Sequence, residues 1–436
     1  MLRFVCVITA TFVLNPLAWC QQPIFIRNVR IFDGVHETLK KGNILIDGAL
    51  IARIGEDAIL APKNAIVIDG DGRIVSPGFI DLHTHLAFQI PKNKPRVHPT
   101  VAGAVAADVA RFYLERGFTT VRDAGGTHPD FAIAIDEGLI IGPRLFPSGS
   151  MISQTGGHGD FRARHEPHYL LDACAADAGA GDISVLADGV DRTLAAVREN
   201  LRLGATQIKI MGGGGVASEY DPLTSLQPSP AEIRAAVQAA EDWGTYVMAH
   251  AYTSEAVQRL VANGVRVIEH GHLIDEATAK LCAEKGIVIS TQVSIFHQVA
   301  KLPGMTERNR AKLELVLKGM DNLMALIKKY EIKTGFGTDF VFGSYRMIGS
   351  EFTARAQYFS PAEIMKQATS QSAEVIRMAG SLNKHGRFGE LKTGWLADLV
   401  LLEYDPFQDI SVLERPDVIA LVIKGGHVVV DNRAKK

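Results

Sequence analysis

The chain has 436 residues, with 46 Lys and Arg against 48 Asp and Glu and a formal net charge of −2. Both signs are intermixed, so no basic stripe for nucleic acid stands out, and a small-molecule or peptide partner is favoured. The length suffices for one large α/β domain with an appendage or for two ordinary domains, either with a sizeable core.

Residues 1–20 read as a secretory signal: Arg3 gives a short basic start, 4–14 are apolar, and Pro16 breaks the run before Ala18-Trp19-Cys20. The run is shorter than the ~20 residues that cross a bilayer, so export to a periplasmic or secreted destination is expected without a membrane span. Leu17-Ala18-Trp19-Cys20 also resembles a lipoprotein site acylated at Cys20, a motif that bulky Trp19 fits poorly. Once Cys6 and Cys20 leave with the signal, Cys174 and Cys282 are too few for a disulfide scaffold and lack the spacing of a zinc knuckle.

Residues 24–54 alternate apolar and polar side chains around Asp33-Gly34 and Asp47-Gly48, which predicts short strands joined by tight turns. The same texture returns at 397–402 and 418–430, with Lys424-Gly425-Gly426 as a turn. Two β-rich ends around a different middle predict one discontinuous domain, 21–75 with 390–436, flanking a central unit of 76–389.

The middle alternates β-branched runs with helical patterns, the rhythm of βα units on a parallel sheet. Strands are predicted at 79–85, 119–123, 144–148, 207–211, 246–250, 265–270, 287–291 and 333–339, and helices at 101–116, 190–203, 230–243 and 307–329. Eight strands suit a closed (β/α)8 TIM-like barrel, in which catalytic groups sit at the carboxyl ends of the strands.

Polar residues fall at those ends. His83 and His85 close the first strand on one face, because alternate strand residues point the same way. Lys209 lies in the fourth strand, and His250, His270 and Asp339 end the fifth, sixth and eighth. Imidazole and carboxylate are ordinary ligands for zinc, and manganese or cobalt accept the same set. Lys209 reads either as a snorkelling barrel lysine or as a desolvated amine that captures carbon dioxide, the resulting carbamate offering two oxygens to two ions.

Around this set, Ser153 to Asp160 form a glycine-rich loop in which His158 either reaches over the mouth or caps the loop. Tyr252, two residues past His250, either aims its hydroxyl at the pocket or packs. Gly212 to Gly215 lack the Gly-Lys-Ser/Thr of a phosphate loop and more simply admit close backbone approach. Phe88, Phe340, Val341 and Phe342 line either an apolar pocket or its rim.

These motifs resemble the amidohydrolase superfamily: Pro-Gly-Phe-Ile-Asp-Leu-His-Thr-His at 77–85, Ile208-Lys209-Ile210, His250, Ile268-Glu269-His270-Gly271, Gly337-Thr338-Asp339, Gly389-Glu390-Leu391 to Gly394, and Ala397-Asp398-Leu399-Val400. The resemblance implies a binuclear centre, with His83 and His85 on one ion, His250 and His270 on the other, a carbamylated Lys209 bridging and Asp339 completing it. It also implies that the two chain ends form a small composite β-sandwich, and that copies assemble into a homo-oligomer. A metal-bridging hydroxide would attack a carbonyl, with Asp339 shuttling the proton to the leaving nitrogen.

Ser-Gln-Thr-Gly-Gly-His-Gly-Asp at 153–160 and His250-Ala251-Tyr252-Thr253 are similar to the dipeptidase and carboxypeptidase branch, which includes prolidase-like, Xaa-Arg/Lys and ochratoxin-degrading enzymes. That similarity implies release of a C-terminal amino acid from dipeptides or N-acyl amino acids, with His158 and Tyr252 hydrogen-bonding the scissile carbonyl oxygen. Arg346, Arg162 and Arg164 are candidates for the substrate carboxylate, which guanidinium binds at two points. The alternative is a cyclic amidohydrolase or deaminase on the same metals, and a scaffold that has lost catalysis is the remaining class.

Overall fold

The computed structural model describes residues 22–56, 59–90, 98–168, 183–300 and 305–433, so the expected signal segment and Cys174 lie outside the described residues. In chain order the strands are β1 (Ile24–Ile31), β2 (Lys40–Asp47), β3 (Leu50–Gly55), β4 (Ile66–Asp69) and β5 (Ile74–Pro77). Then come β6 (Phe79–Thr84), β7 (Phe118–Asp123), β8 (Arg144–Phe146), β9 (Met151–Ser153), β10 (Ser184–Leu186), β11 (Ile208–Met211) and β12 (Val247–Thr253). The last are β13 (Val267–Leu273), β14 (Val288–Thr291), β15 (Thr334–Phe336), β16 (Leu399–Leu402), β17 (Ile419–Lys424) and β18 (His427–Asp431).

The middle of the chain is α/β with parallel sheets. One runs β6-β7-β8 and the other β10-β9-β11-β12-β13-β14-β15. Backbone hydrogen bonds connect residues that flank the two sheets: Thr206 N–H donates to Pro147 O at 2.8 Å, and Asp339 N–H to His83 O at 2.8 Å. All residues of β6, β7, β11, β12 and β14 are buried. Burial on both faces explains why these strands read as continuous apolar runs rather than alternating ones. It also obliges the few charged residues inside them, Asp81, Arg122, Asp123 and Lys209, and Glu269 in the neighbouring β13, to find partners, since an unpaired buried charge is strongly disfavoured.

Each of the eight predicted strands is present with shifted ends, and β9 and β10 are additional short strands that β-branched content alone did not distinguish from loop. The predicted last strand stops at Phe336, three residues short of Asp339, which adopts a left-handed φ of 55°. The helices Val190–Leu203 and Glu307–Lys329 fall where periodicity predicts them. Local capping explains their edges: Thr306 Oγ1 accepts from Asn309 N–H at 3.2 Å, and Ser229 with Glu232 forms a reciprocal capping box ahead of Pro230–Glu241.

The two chain ends join in one hydrogen-bonded sheet of order β18-β17-β16-β5-β1-β2-β3, with β4 on β1. Ile24, Ile26, Ile44, Ile51, Leu399 and Leu421 belong to a core of their own, separate from that of the parallel sheets. Asp398 ties the two regions together. Its carboxylate pairs with Arg144 at the start of β8 and accepts from Gly425 N–H at 2.7 Å, with both charged side chains buried. Breaking a buried pair strands the remaining charge, so Asp398→Ala is expected to lose about 3–5 kcal/mol of stability, measured by urea unfolding.

Candidate active site

Strand β6 carries His83 near its carboxyl end with His85 just past it, and the turn after β15 brings Asp339 against them. Asp339 Oδ1 lies 3.3 Å from His83 Nε2 and 3.3 Å from His85 Nε2. The turn is pinned from beneath: Thr338 N–H and Oγ1 donate to Asp81 at 3.1 and 2.6 Å, and Asp81 also accepts from His83 N–H at 3.0 Å. Burial pushes the Asp81 carboxyl up to about 7.

The Nδ1 atoms of both imidazoles are already committed. His83 Nδ1 lies 2.6 Å from Glu269 Oε2, and His85 Nδ1 lies 2.7 Å from Gly125 O. With Nδ1–H donated outward, each neutral ring turns its Nε2 lone pair toward the Asp339 carboxylate. Lone pairs facing a carboxylate at this distance call for a cation or a proton between them. Two ligands of one tetrahedral ion bonded at about 2.0–2.1 Å stand about 3.3–3.4 Å apart, which matches the spacing observed. The carboxylate and carbonyl behind the rings are the partners that metal-binding histidines usually have. His83, His85 and Asp339 therefore form a site able to hold a metal ion, their ligand atoms all within 4.8 Å of one another.

Electrostatics agree. Burial opposes ionisation of Asp339, but the neighbouring His83 and His85 outweigh it and hold the carboxyl well below the usual range. Burial likewise opposes charge on His85, and Asp339 overcomes it and raises its pKa. The Asp339 side chain keeps 20% exposure, so the cluster opens toward solvent at the carboxylate.

His270 Nε2 lies 4.0 Å from Asp339 Oδ2, which brings a third imidazole to the cluster. Its φ of 78° and that of Gly271, 73°, break the strand alternation at this point. The His250 ring meets His270 edge to face at 4.5 Å between centroids. Burial drives both imidazoles far toward the neutral form that binds metal. Lys209 is 1% exposed, and burial lowers its pKa toward the neutral amine. Its charge acts on His83, His85, His250, His270 and Asp339 alike, so it belongs to the same cluster.

His158 stacks on His250 at 4.1 Å, and Tyr252 stacks on His270 at 5.1 Å. Both thus border the cluster. The three arginines do not converge there. Arg162 pairs with Asp160, Arg164 with Glu219, and Arg346 with Asp108 at 3.7 Å while lying over the Phe112 and Tyr345 rings. Phe88 packs between Phe161, Phe342 and His85, an aromatic wall on one side of the histidines.

Glu269 and Arg122 carry functions that sequence reasoning left unassigned. Both are fully buried, and Glu269 bridges His83 to Arg122, which also donates to Leu82 O and to the Tyr246 hydroxyl. Burial would raise the Glu269 carboxyl, yet Arg122 and His83 pull it down to about 2. The available signal was a charged residue inside an apolar strand, which has to be paired; its partner lies 147 positions away.

Residues 74–429 match the amidohydrolase family, and the chain belongs to that family. Within it, ochratoxinase and prolidase-like relatives support the dipeptidase-like branch, and the chain is a hydrolase acting on amide bonds. The ochratoxinase of Aspergillus niger is 28% identical over 410 residues, covering 91% of this chain and 84% of the relative. A crystal structure of a prolidase complexed with N-methylphosphonate-L-proline superposes with a TM-score of 0.87 at 37% identity, covering 94% of this chain and all of the other. A Xaa-Pro dipeptidase with methionine bound in its active site gives 0.82 at 28% identity, covering 93% and 99%.

Proposed function

We propose that this protein is a binuclear metal-dependent amidohydrolase that releases a C-terminal amino acid from dipeptides or N-acyl amino acids, aryl amides of phenylalanine among them. The observation that carries the reading is the convergence of two imidazole Nε2 atoms on one Asp339 oxygen while both Nδ1 atoms are engaged elsewhere. In this reading His83, His85 and Asp339 would hold one ion and His250 and His270 the second, with a carbamylated Lys209 as a ligand to both and zinc as the resident metal. Such ions supply Lewis acidity toward a carbonyl and make hydroxide available near neutral pH.

The chain's own groups do the rest. Asp339, ionised and open to the mouth, accepts the proton of the attacking water and passes it to the leaving nitrogen. His158 and Tyr252, each stacked on a metal-binding imidazole, donate to the scissile carbonyl oxygen as negative charge grows there. Arg346 would have to leave Asp108 to reach a substrate carboxylate. The ochratoxinase, prolidase and Xaa-Pro dipeptidase relatives support amide substrates ending in a free amino acid.

The same proposal includes closure of the two parallel sheets into one (β/α)8 barrel spanning 76–389, beside a β-sandwich of 21–75 and 390–436. It also includes export through the 1–20 signal and assembly into a homo-oligomer. No described helix is long and apolar enough to cross a membrane.

Dialysis against a chelator is expected to abolish hydrolysis, and zinc, manganese or cobalt to restore it, with two ions bound per chain by elemental analysis. Substrates differing only in the C-terminal residue, with ninhydrin detection of released amino acid, test the class. Turnover of hydantoins or lactams with no amino acid release would replace this reading with the cyclic-amide one.

A further inference from the structure

The long helix Glu307–Lys329 carries a lysine that no motif singles out. Lys312 is 6% exposed, and its Nζ donates to Gly215 O at 2.9 Å and to Ser218 O at 3.0 Å. Among the described residues its ammonium makes no direct ion pair. A buried ammonium held only by carbonyl oxygens carries a desolvation cost that a methionine of similar length would avoid. The loop it clamps is the one that touches His158. Ser218 Oγ lies 2.9 Å from His158 Nδ1, and a Cβ on Gly215 would fall 1.8 Å from that same nitrogen. His158 N–H is fixed from the other side by Gln227 Oε1 at 3.0 Å.

Ser218 has a single hydroxyl proton and two acceptors in reach, Gly215 O at 3.1 Å and His158 Nδ1 at 2.9 Å. The choice sets the imidazole tautomer. If the proton goes to Gly215 O, His158 must donate from Nδ1 and its Nε2 is bare. If it goes to Nδ1, Nε2 carries the hydrogen and can donate to a substrate oxygen. Lys312 donates to Gly215 O, which makes that carbonyl the poorer acceptor for a second hydrogen.

We propose that Lys312 is a positioning residue that, by occupying Gly215 O, turns the Ser218 hydroxyl onto His158 Nδ1 and so fixes His158 as an Nε2–H donor. The proposal rests on the reading of His158 as a donor to the scissile carbonyl oxygen. Lys312 touches no substrate; it acts 154 positions away from His158 through one carbonyl and one hydroxyl.

The test is a double-mutant cycle on the zinc-loaded protein with a hydrolysed dipeptide. Lys312→Met is expected to lower kcat/KM by about tenfold or more, as misplaced catalytic donors do, and to change it less than twofold in a His158→Ala background. Ser218→Ala should give a similar loss, also absent without His158, and serves if Lys312→Met does not fold. In parallel, nitrogen NMR of the His158 ring, assigned with His158→Ala, should show Nε2–H in the wild type and Nδ1–H in Lys312→Met. Equal losses with and without His158, or Nδ1–H in the wild type, overturn the proposal. If the wild type hydrolyses no dipeptide, the functional reading fails, and the NMR tautomer still decides this one.

Discussion

Asp339→Asn is expected to lower kcat by about a thousandfold or more while the protein still binds metal, the scale of effect of removing a positioned proton carrier. The amide keeps an oxygen that can face His83 and His85, so the ligand geometry survives in outline. What it loses is basicity. Asp339 is held ionised by two imidazoles 3.3 Å away, and its partial exposure lets it meet water from the mouth. An amide in that place neither accepts the proton of an attacking water nor returns it to the leaving nitrogen. Elemental analysis alongside turnover separates the two roles: metal retained with turnover lost supports the proton carrier, metal lost with turnover makes Asp339 a ligand first, and wild-type turnover removes the shuttle.

Glu269→Ala is expected to cost about 3–5 kcal/mol of stability, because it leaves the fully buried Arg122 guanidinium without its carboxylate. Two partners, Leu82 O and the Tyr246 hydroxyl, remain for Arg122, but neither carries charge. Glu269→Gln is a finer probe. One oxygen can still accept from Arg122, while the amide NH2 would face the His83 Nδ1–H, donor against donor. His83 must then give up the tautomer that directs Nε2 inward, and metal affinity should fall by about 10–100-fold, the usual effect of altering the partner behind a ligand. Unfolding and metal titration of the two variants measure these effects separately.

The pH dependence follows from the same pair. Glu269 is held at about 2 in the folded protein, below its unfolded value of about 4.3, so its contribution is fully present above that value. It is lost as pH falls from there toward 2. Glu269→Gln should flatten the acid limb of the stability profile over that window.

The candidate metal-ligating residues could be singled out in the sequence because the argument for most of them is local. His83 and His85 share a face by strand alternation, and Lys209, His250 and His270 stand at or within apolar runs that could only be buried strands. The helices Val190–Leu203 and Glu307–Lys329 were legible for the same reason, since their apolar spacing and caps are written within a few residues. The three arginines show the limit. A guanidinium near a binding motif predicts a carboxylate partner, but whether that partner is substrate or Asp108, Asp160 or Glu219 depends on where remote segments pack.

What the sequence alone determined, then, is a parallel α/β middle with metal-compatible groups at its strand ends, and β-rich ends able to pair with each other. Hydrophobic periodicity and residue chemistry, both local properties, are enough for that. Only the tertiary structure decided that Glu269, paired with Arg122 147 positions away, braces His83, that His270 and Asp339 turn inward through left-handed backbone, and that Lys312 reaches the loop beside His158. Each of these depends on a buried polar group finding its partner, and burial forces such a pairing without naming the residue that will satisfy it.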